Sequence, residues 1–174
     1  MHSSLVIRPE MPGDVEAITA LTIAAFATLE VSNHTEQFVI EALRDAGALT
    51  ISLVAELDRR VVGHIAFSPV VMSDGAAGWY GLGPVSVLPE FQRQGIGKAL
   101  IREGLERLQA IGAKGCCLVG HPEYYRQFGF VNPEGLGHEG VPPEVFFSLA
   151  FDGPPVPTGT VSFHEAFMAS GPCG

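Results

Sequence analysis

The stretch from Val85 to Ile101, VSVLPEFQRQGIGKALI, constrains the fold more than any other part of the chain. An apolar run ends at Pro89, and a turn follows with glycines at 95 and 97. Beyond it Leu100, Ile101, Leu105, Leu108 and Ile111 recur at helical spacing, with Lys98, Arg102, Glu103, Glu106 and Arg107 on the wetter side until Gly112. The unit reads as strand, tight turn, long amphipathic helix. Backbone N–H groups at the start of such a helix favour an anion, and glycines there remove side chains that would keep a phosphate away. A glycine-rich helix start with no ligand has the same spacing, so spacing alone leaves both readings open.

Counting removes two familiar phosphate loops. A nucleoside-triphosphate loop needs a glycine five residues before the Gly-Lys pair and a hydroxyl after it, and those positions are Gln92 and Ala99. A dinucleotide fingerprint needs a third small residue where Leu100 stands.

The rest of the chain arranges itself around this unit. SLVIRPE (Ser3–Glu10) reads as a strand, and Asp14 as the N-cap of a helix with Val15, Ile18, Leu21, Thr22, Ala25 and Phe26 on one face. A weaker helix spans about Thr35 to Ala46 and stops at Gly47. LTISLVAEL and VVGHIAFSPVVM read as antiparallel partners across DRR, and WYGLGPVSVLP as a further strand. After the long helix, GCCLVG is a short strand buried on both faces, and PEYYRQFGF a brief helix closed by Gly129. PEGLGHEGVPPE reads as loop, and VFFSLAF and TVSFHEAFM as two closing strands. The order β-α-α-β-β-β-α-β-α-β-β is a mixed α/β fold, α+β rather than a regular alternation, in one domain spanning 1–174 with a core over 3–132 and a tail over 133–174.

At 174 residues the chain is long enough to bury a core, and 47% hydrophobic residues argue against disorder. A net charge of −9 would repel a phosphate backbone, so nucleic acid is not an expected partner, whereas amines are weakly favoured. The amino terminus lacks a secretory pattern and no apolar stretch reaches spanning length, so no membrane association is expected and the cytoplasm is the expected location. Cys116, Cys117 and Cys173 suit neither a bridge nor a zinc site. His138 and His164 are too isolated to argue for a metal, so none is expected.

The segment Gln92-Arg93-Gln94-Gly95-Ile96-Gly97, with VSVLPEF before it, resembles motif A of the GNAT superfamily of acetyl-CoA-dependent N-acetyltransferases. The likeness continues through the buried strand after the long helix to a short helix with Tyr125 four residues before the Gly129-Phe130 pair, and covers Leu5 to Asn132. GHIAFSPV, GLGPVSVLPEFQRQGIG and YYRQFGF together resemble the bacterial YhbS-like subgroup, whose tail also suits the two closing strands.

The resemblance implies the GNAT acyl-CoA N-acyltransferase fold, a central, mostly antiparallel twisted sheet flanked by helices. It implies acetyl-CoA as co-substrate, with a primary amine of a small molecule or protein attacking the thioester directly in a ternary complex. Backbone groups from Arg93 to Lys98 would hold the pyrophosphate, with Gln92, Gln94, Gly95, Ile96 and Gly97 shaping the turn and Lys98 adding charge or merely facing water. Pantetheine would pair with the main chain at Val85 and Val87, with Ser86 between them. His121, Tyr125 and Arg126 would close the far end, although many relatives carry Asn near position 121. Tyr125 matches the general acid by position, or is a core aromatic with Tyr124 facing solvent. His64, Glu30 and His121 are the candidates for the base. Trp79, Tyr80 and the phenylalanines 146, 147, 151, 163 and 167 read as packing, with the acceptor pocket or a homodimer face as the other use. The rival to an enzyme is a catalytically silent acyl-CoA-binding sensor or regulatory module; it would need the turn but not a proton donor at 125.

Overall fold

The structure, a computed structural model, describes residues 4–27, 29, 32, 34–153 and 155–171. The main sheet has six strands in the order β1 (Leu5–Pro9), β2 (Ile51–Leu57), β3 (Arg60–Pro69), β5 (Trp79–Val87), β6 (Gly115–Val119) and β8 (Phe146–Ala150). Every neighbouring pair is antiparallel except β5 and β6. A smaller sheet joins β4 (Val71–Met72), β9 (Gly159–Ser162) and β7 (Leu136–Gly137). No helix among the described residues is long and apolar enough to cross a membrane.

The long helix predicted from the apolar stripe is α3, Ile96–Ala110. Leu100, Ile101 and Leu108 are fully buried against Leu53, Ile65 and Phe67 of β2 and β3. The opposite face of the sheet receives α1 (Val15–Phe26) and α2 (Glu36–Asp45), whose Ile18 and Ile40 pack on Val54. Asp14 does not cap α1 as its position suggests. Its carboxylate instead accepts from Arg8 at 2.8 and 3.1 Å and from the Met11 N–H at 2.7 Å, because a cation from β1 reaches it. Cys116 and Cys117 are buried free thiols, and Cys173 lies outside the described residues.

Three segments differ from the sequence expectation. The run VVGHIAFSPVVM is broken at Val70 into β3 and β4, with Pro69 ending the first. Leu136–Gly137, expected to be loop, pairs in parallel with β9. The last expected strand stops at Ser162, and Glu165–Met168 turns into a 3₁₀ helix capped by the His164 ring.

The incomplete pairing of β5 with β6 opens the sheet. The two strands meet only at Trp79–Gly115, Tyr80–Cys116 and Gly81–Cys117. Beyond these positions β5 runs on to Val87 beside β3, while β6 turns away toward β8, and a wedge opens between them.

Candidate active site

The turn sits at one end of the wedge. Arg93 and Gly95 both have positive φ, 65° and 85°, and Ala99 N–H makes the first helical bond, to Gly95 O at 3.0 Å. The N–H groups from Arg93 to Lys98 meet no acceptor among the described residues, as the first donors of a helix do, and five of these six residues, all but Gln94, line one concavity. The Gln92 amide donates to Val87 O at 2.9 Å and ties the turn to the strand. The hollow measures about 390 Å³, and Arg93 and Lys98 line it with no acidic residue among the described lining. In a chain of net charge −9, this is a local reversal of sign suited to an anion.

Gly97 contributes open space rather than a required conformation. A Cβ built there would come no closer than 3.5 Å to the Tyr124 hydroxyl and 3.9 Å to Val87. Nothing among the described residues demands glycine at this position. Tyr124, expected to face solvent, is half-buried and lines this hollow beside Val85 and Val87.

Along the wedge, Leu88 N–H pairs with Val62 O on the β3 side. By alternation the main-chain groups of Val87 and Val85 point the other way, into the gap. The Ser86 side chain is buried on the opposite face, across from His64, and its hydroxyl has no partner among the described residues.

Past Val85 the gap widens into a cavity of about 580 Å³. Tyr125 stands in its wall, with its ring edge-on to Phe130 at 6.1 Å and tilted against Phe147 at 6.2 Å. Burial, and then the neighbouring Tyr124, push its phenol up to about 12, so it keeps its proton at neutral pH. Gly120 makes room for the ring: a Cβ there would collide with Tyr125 Cε2. Phe26, Val141, Phe163 and Phe167 supply an apolar wall, while Glu36 and His138 are polar members of the lining.

The base candidates fare differently. His64 lines none of these hollows: it is fully buried under α1 because β3 turns this face of the strand toward the helices. Its Nε2 lies 2.8 Å from Ser52 Oγ, which gives its own proton to Glu10; the ring therefore donates from Nε2, and Nδ1 has no partner among the described residues. Burial lowers its pKa to about 4. His121 is exposed and accepts the Glu123 N–H on Nδ1 at 3.2 Å, away from the cavity lining. Glu30 lies outside the described residues. Arg126 is exposed, bonded to Asn132 and stacked over Phe147, and does not reach the anion hollow. Gln94 reaches back to Glu90 O, and Ile96 is buried in the core as the first residue of α3. The packing role read for the tail holds for Phe146 and Phe147, which are buried, whereas Phe163 and Phe167 line the cavity.

Comparison with known proteins decides the family. A sequence profile described as "Acetyltransferase (GNAT) domain" matches residues 49–132. The uncharacterized N-acetyltransferase YhbS of Escherichia coli K12 is 35% identical over 127 residues, 72% of this chain and 73% of that protein. The chain belongs to the GNAT family of N-acetyltransferases. Two solved structures resemble this acetyltransferase along nearly its whole length. A GNAT family acetyltransferase from Brucella melitensis, in complex with acetyl-CoA, is 50% identical over 95% of this chain and 99% of its own, with a TM-score of 0.85. Escherichia coli YhbS in complex with CoA is 31% identical over 98% and 95%, with a TM-score of 0.83.

Proposed function

We propose that the protein transfers the acetyl group of acetyl-CoA to a primary amine by direct attack in a ternary complex. The observation that carries this reading is the wedge: a strand edge without a main-chain partner beyond Gly81, with an anion seat at one end and a half-buried phenol in the wall at the other. The free N–H groups of Arg93 to Lys98, with the cations of Arg93 and Lys98, fit a pyrophosphate. The outward main-chain groups of Val85 and Val87 fit the amides of a pantetheine arm, which would lie there as a substitute strand. That the Brucella and Escherichia relatives bind acetyl-CoA and CoA supports the same reading for this chain.

Tyr125 is the proton donor to the departing thiolate. A thiol of pKa about 8.5 leaves more readily when an acid meets it, and Tyr125 holds its proton until that moment. The acceptor is an amine carried on an apolar body, since phenylalanines and valine dominate the wall and Glu36 supplies a carboxylate for an ammonium.

Thiol release from acetyl-CoA with a panel of primary amines tests this. Release should depend on the amine, and Tyr125→Phe should lower turnover by roughly 100-fold while acetyl-CoA affinity holds. Acetyl-CoA binding with no release across the panel would overturn the reading in favour of a sensor, and undiminished turnover in Tyr125→Phe would remove the acid.

A further inference from the structure

We propose that His138, a residue of the carboxy-terminal tail, is the general base that takes the proton from the acceptor ammonium. The inference rests on the acetyl-transfer reading above and adds the residue that completes it. His138 follows β7 directly, and the parallel register of Leu136 with Gly159 and Gly137 with Thr160 brings it beside Val161 of β9. Its Nδ1 lies 2.8 Å from Val161 O. A carbonyl oxygen only accepts, so Nδ1 carries the hydrogen and Nε2 is left as a bare lone pair. The ring is also held edge-on to Phe163 at 4.9 Å. Tautomer and orientation are both fixed before any substrate arrives, and the imidazole lines the same cavity as Tyr125.

Among the described residues, the titratable groups around His138 come from both of its sides. Glu36 and Tyr125 share the cavity lining with it, and Glu139, His164 and Glu165 share an adjoining recess. Glu36 accepts from Ser32 and stands where it can attract an ammonium. The proton balance is complete with these residues. The ammonium gives one proton to His138 Nε2, and the freed nitrogen lone pair attacks the thioester carbonyl carbon. The C–N bond forms, the C–S bond breaks, and the thiolate takes the Tyr125 proton. The second nitrogen proton, lost as the amide forms, restores the phenol through solvent, and the imidazolium releases its own proton to water.

His138→Asn separates this role from a structural one. The asparagine amide sits where Nδ1 sits and keeps the donation to Val161 O, while Nε2 is gone. With 2-phenylethylamine as acceptor near neutral pH, kcat/KM should fall by about 100-fold, the deficit should narrow as pH approaches the amine's own pKa, and acetyl-CoA affinity should hold. O-benzylhydroxylamine, which is neutral near pH 7, should react almost equally with variant and wild type. An unchanged pH profile, or an equal loss with both nucleophiles, overturns the proposal. If wild type acetylates neither probe, the acetyl-transfer reading is what fails for this amine class. NMR of the His138 ring in the CoA complex then tests the histidine separately: a 2-phenylethylamine-dependent shift at Nε2 supports an amine seat at His138, and an unmoved signal overturns it.

Discussion

Replacing Gly97 by alanine should move stability and ligand affinity in opposite directions, and the sizes follow from the geometry of the turn. The added methyl meets Tyr124 Oη at 3.5 Å and Val87 Cγ2 at 3.9 Å, both ordinary contacts, so the fold bears no steric cost. Exchanging glycine for alanine inside a helix gains roughly 0.5–1 kcal/mol, which for a chain of this length raises Tm by about 2–4 °C or less. The same methyl adds bulk to a residue that lines the anion hollow, and it would hold a pyrophosphate seated there off the N–H groups behind it. Losing one hydrogen bond to a charged group costs about 1.5–3 kcal/mol, so acetyl-CoA should bind about 10- to 150-fold more weakly. Calorimetry reads both quantities on one sample, by scanning for Tm and by titration with acetyl-CoA. Unchanged affinity would show that the turn is not the pyrophosphate seat. A lowered Tm would show that position 97 is not open on its outer side, and would refute the reasoning from the other end.

Two further outcomes rest on buried groups. The folded pKa of His64 is depressed from 6.5 to about 4, chiefly by burial, so between those values the unfolded chain binds the extra proton. Stability is then full above about pH 6.5 and declines by roughly 3 kcal/mol as pH falls to 4 and below. Burial pushes the Glu10 carboxyl upward, but hydrogen bonds from Arg44 and Ser52 outweigh it and leave it below the usual range, which steepens the acid loss in the same direction. Urea melts across this window should show the slope in wild type and a flatter one in His64→Gln; equal slopes would sink the assignment. Gly120→Ala, by forcing the Tyr125 ring out of place, should cut thiol release by roughly 100-fold, the share expected of the acid, while acetyl-CoA affinity stays within error. Normal release in a folded Gly120→Ala protein would show that the ring position is immaterial.

What the sequence makes legible is local. The stripe from Leu100 to Leu108 specifies α3, and the positive-φ glycine at 95 marks its start, because each signal lies within one turn of the residues that use it. The candidacy of Tyr125 comes from the family resemblance, in which a tyrosine stands four residues before Gly129-Phe130, a spacing that here stays within a single short 3₁₀ helix. His138 leaves no such signal, because its meaning comes from Val161, 23 residues away, through a two-residue parallel ladder with no periodic trace. His64 reads as a candidate base for a related reason. Its strand is apolar on both faces, so alternation does not reveal that its side chain faces the helices rather than the wedge. The surroundings of the two tyrosines separate only in three dimensions, where Gly97 and Gly120 lie beside different rings.

The match to the family profile ends at Asn132, but the sheet does not. β8 covers one edge of β6 along all five residues, and the Asn132 amide is stitched to Phe146 O at 2.9 Å. The other edge of β6 is committed to the wedge after Cys117. Cutting the tail away would turn β6 into an edge strand and uncover Cys117, which packs on Phe146, Leu136 and Val161, a surface prone to self-association. The tail's share of the cavity wall is therefore not a detachable module. The tail that lines the cavity is also the tail that supplies the sheet's last strand.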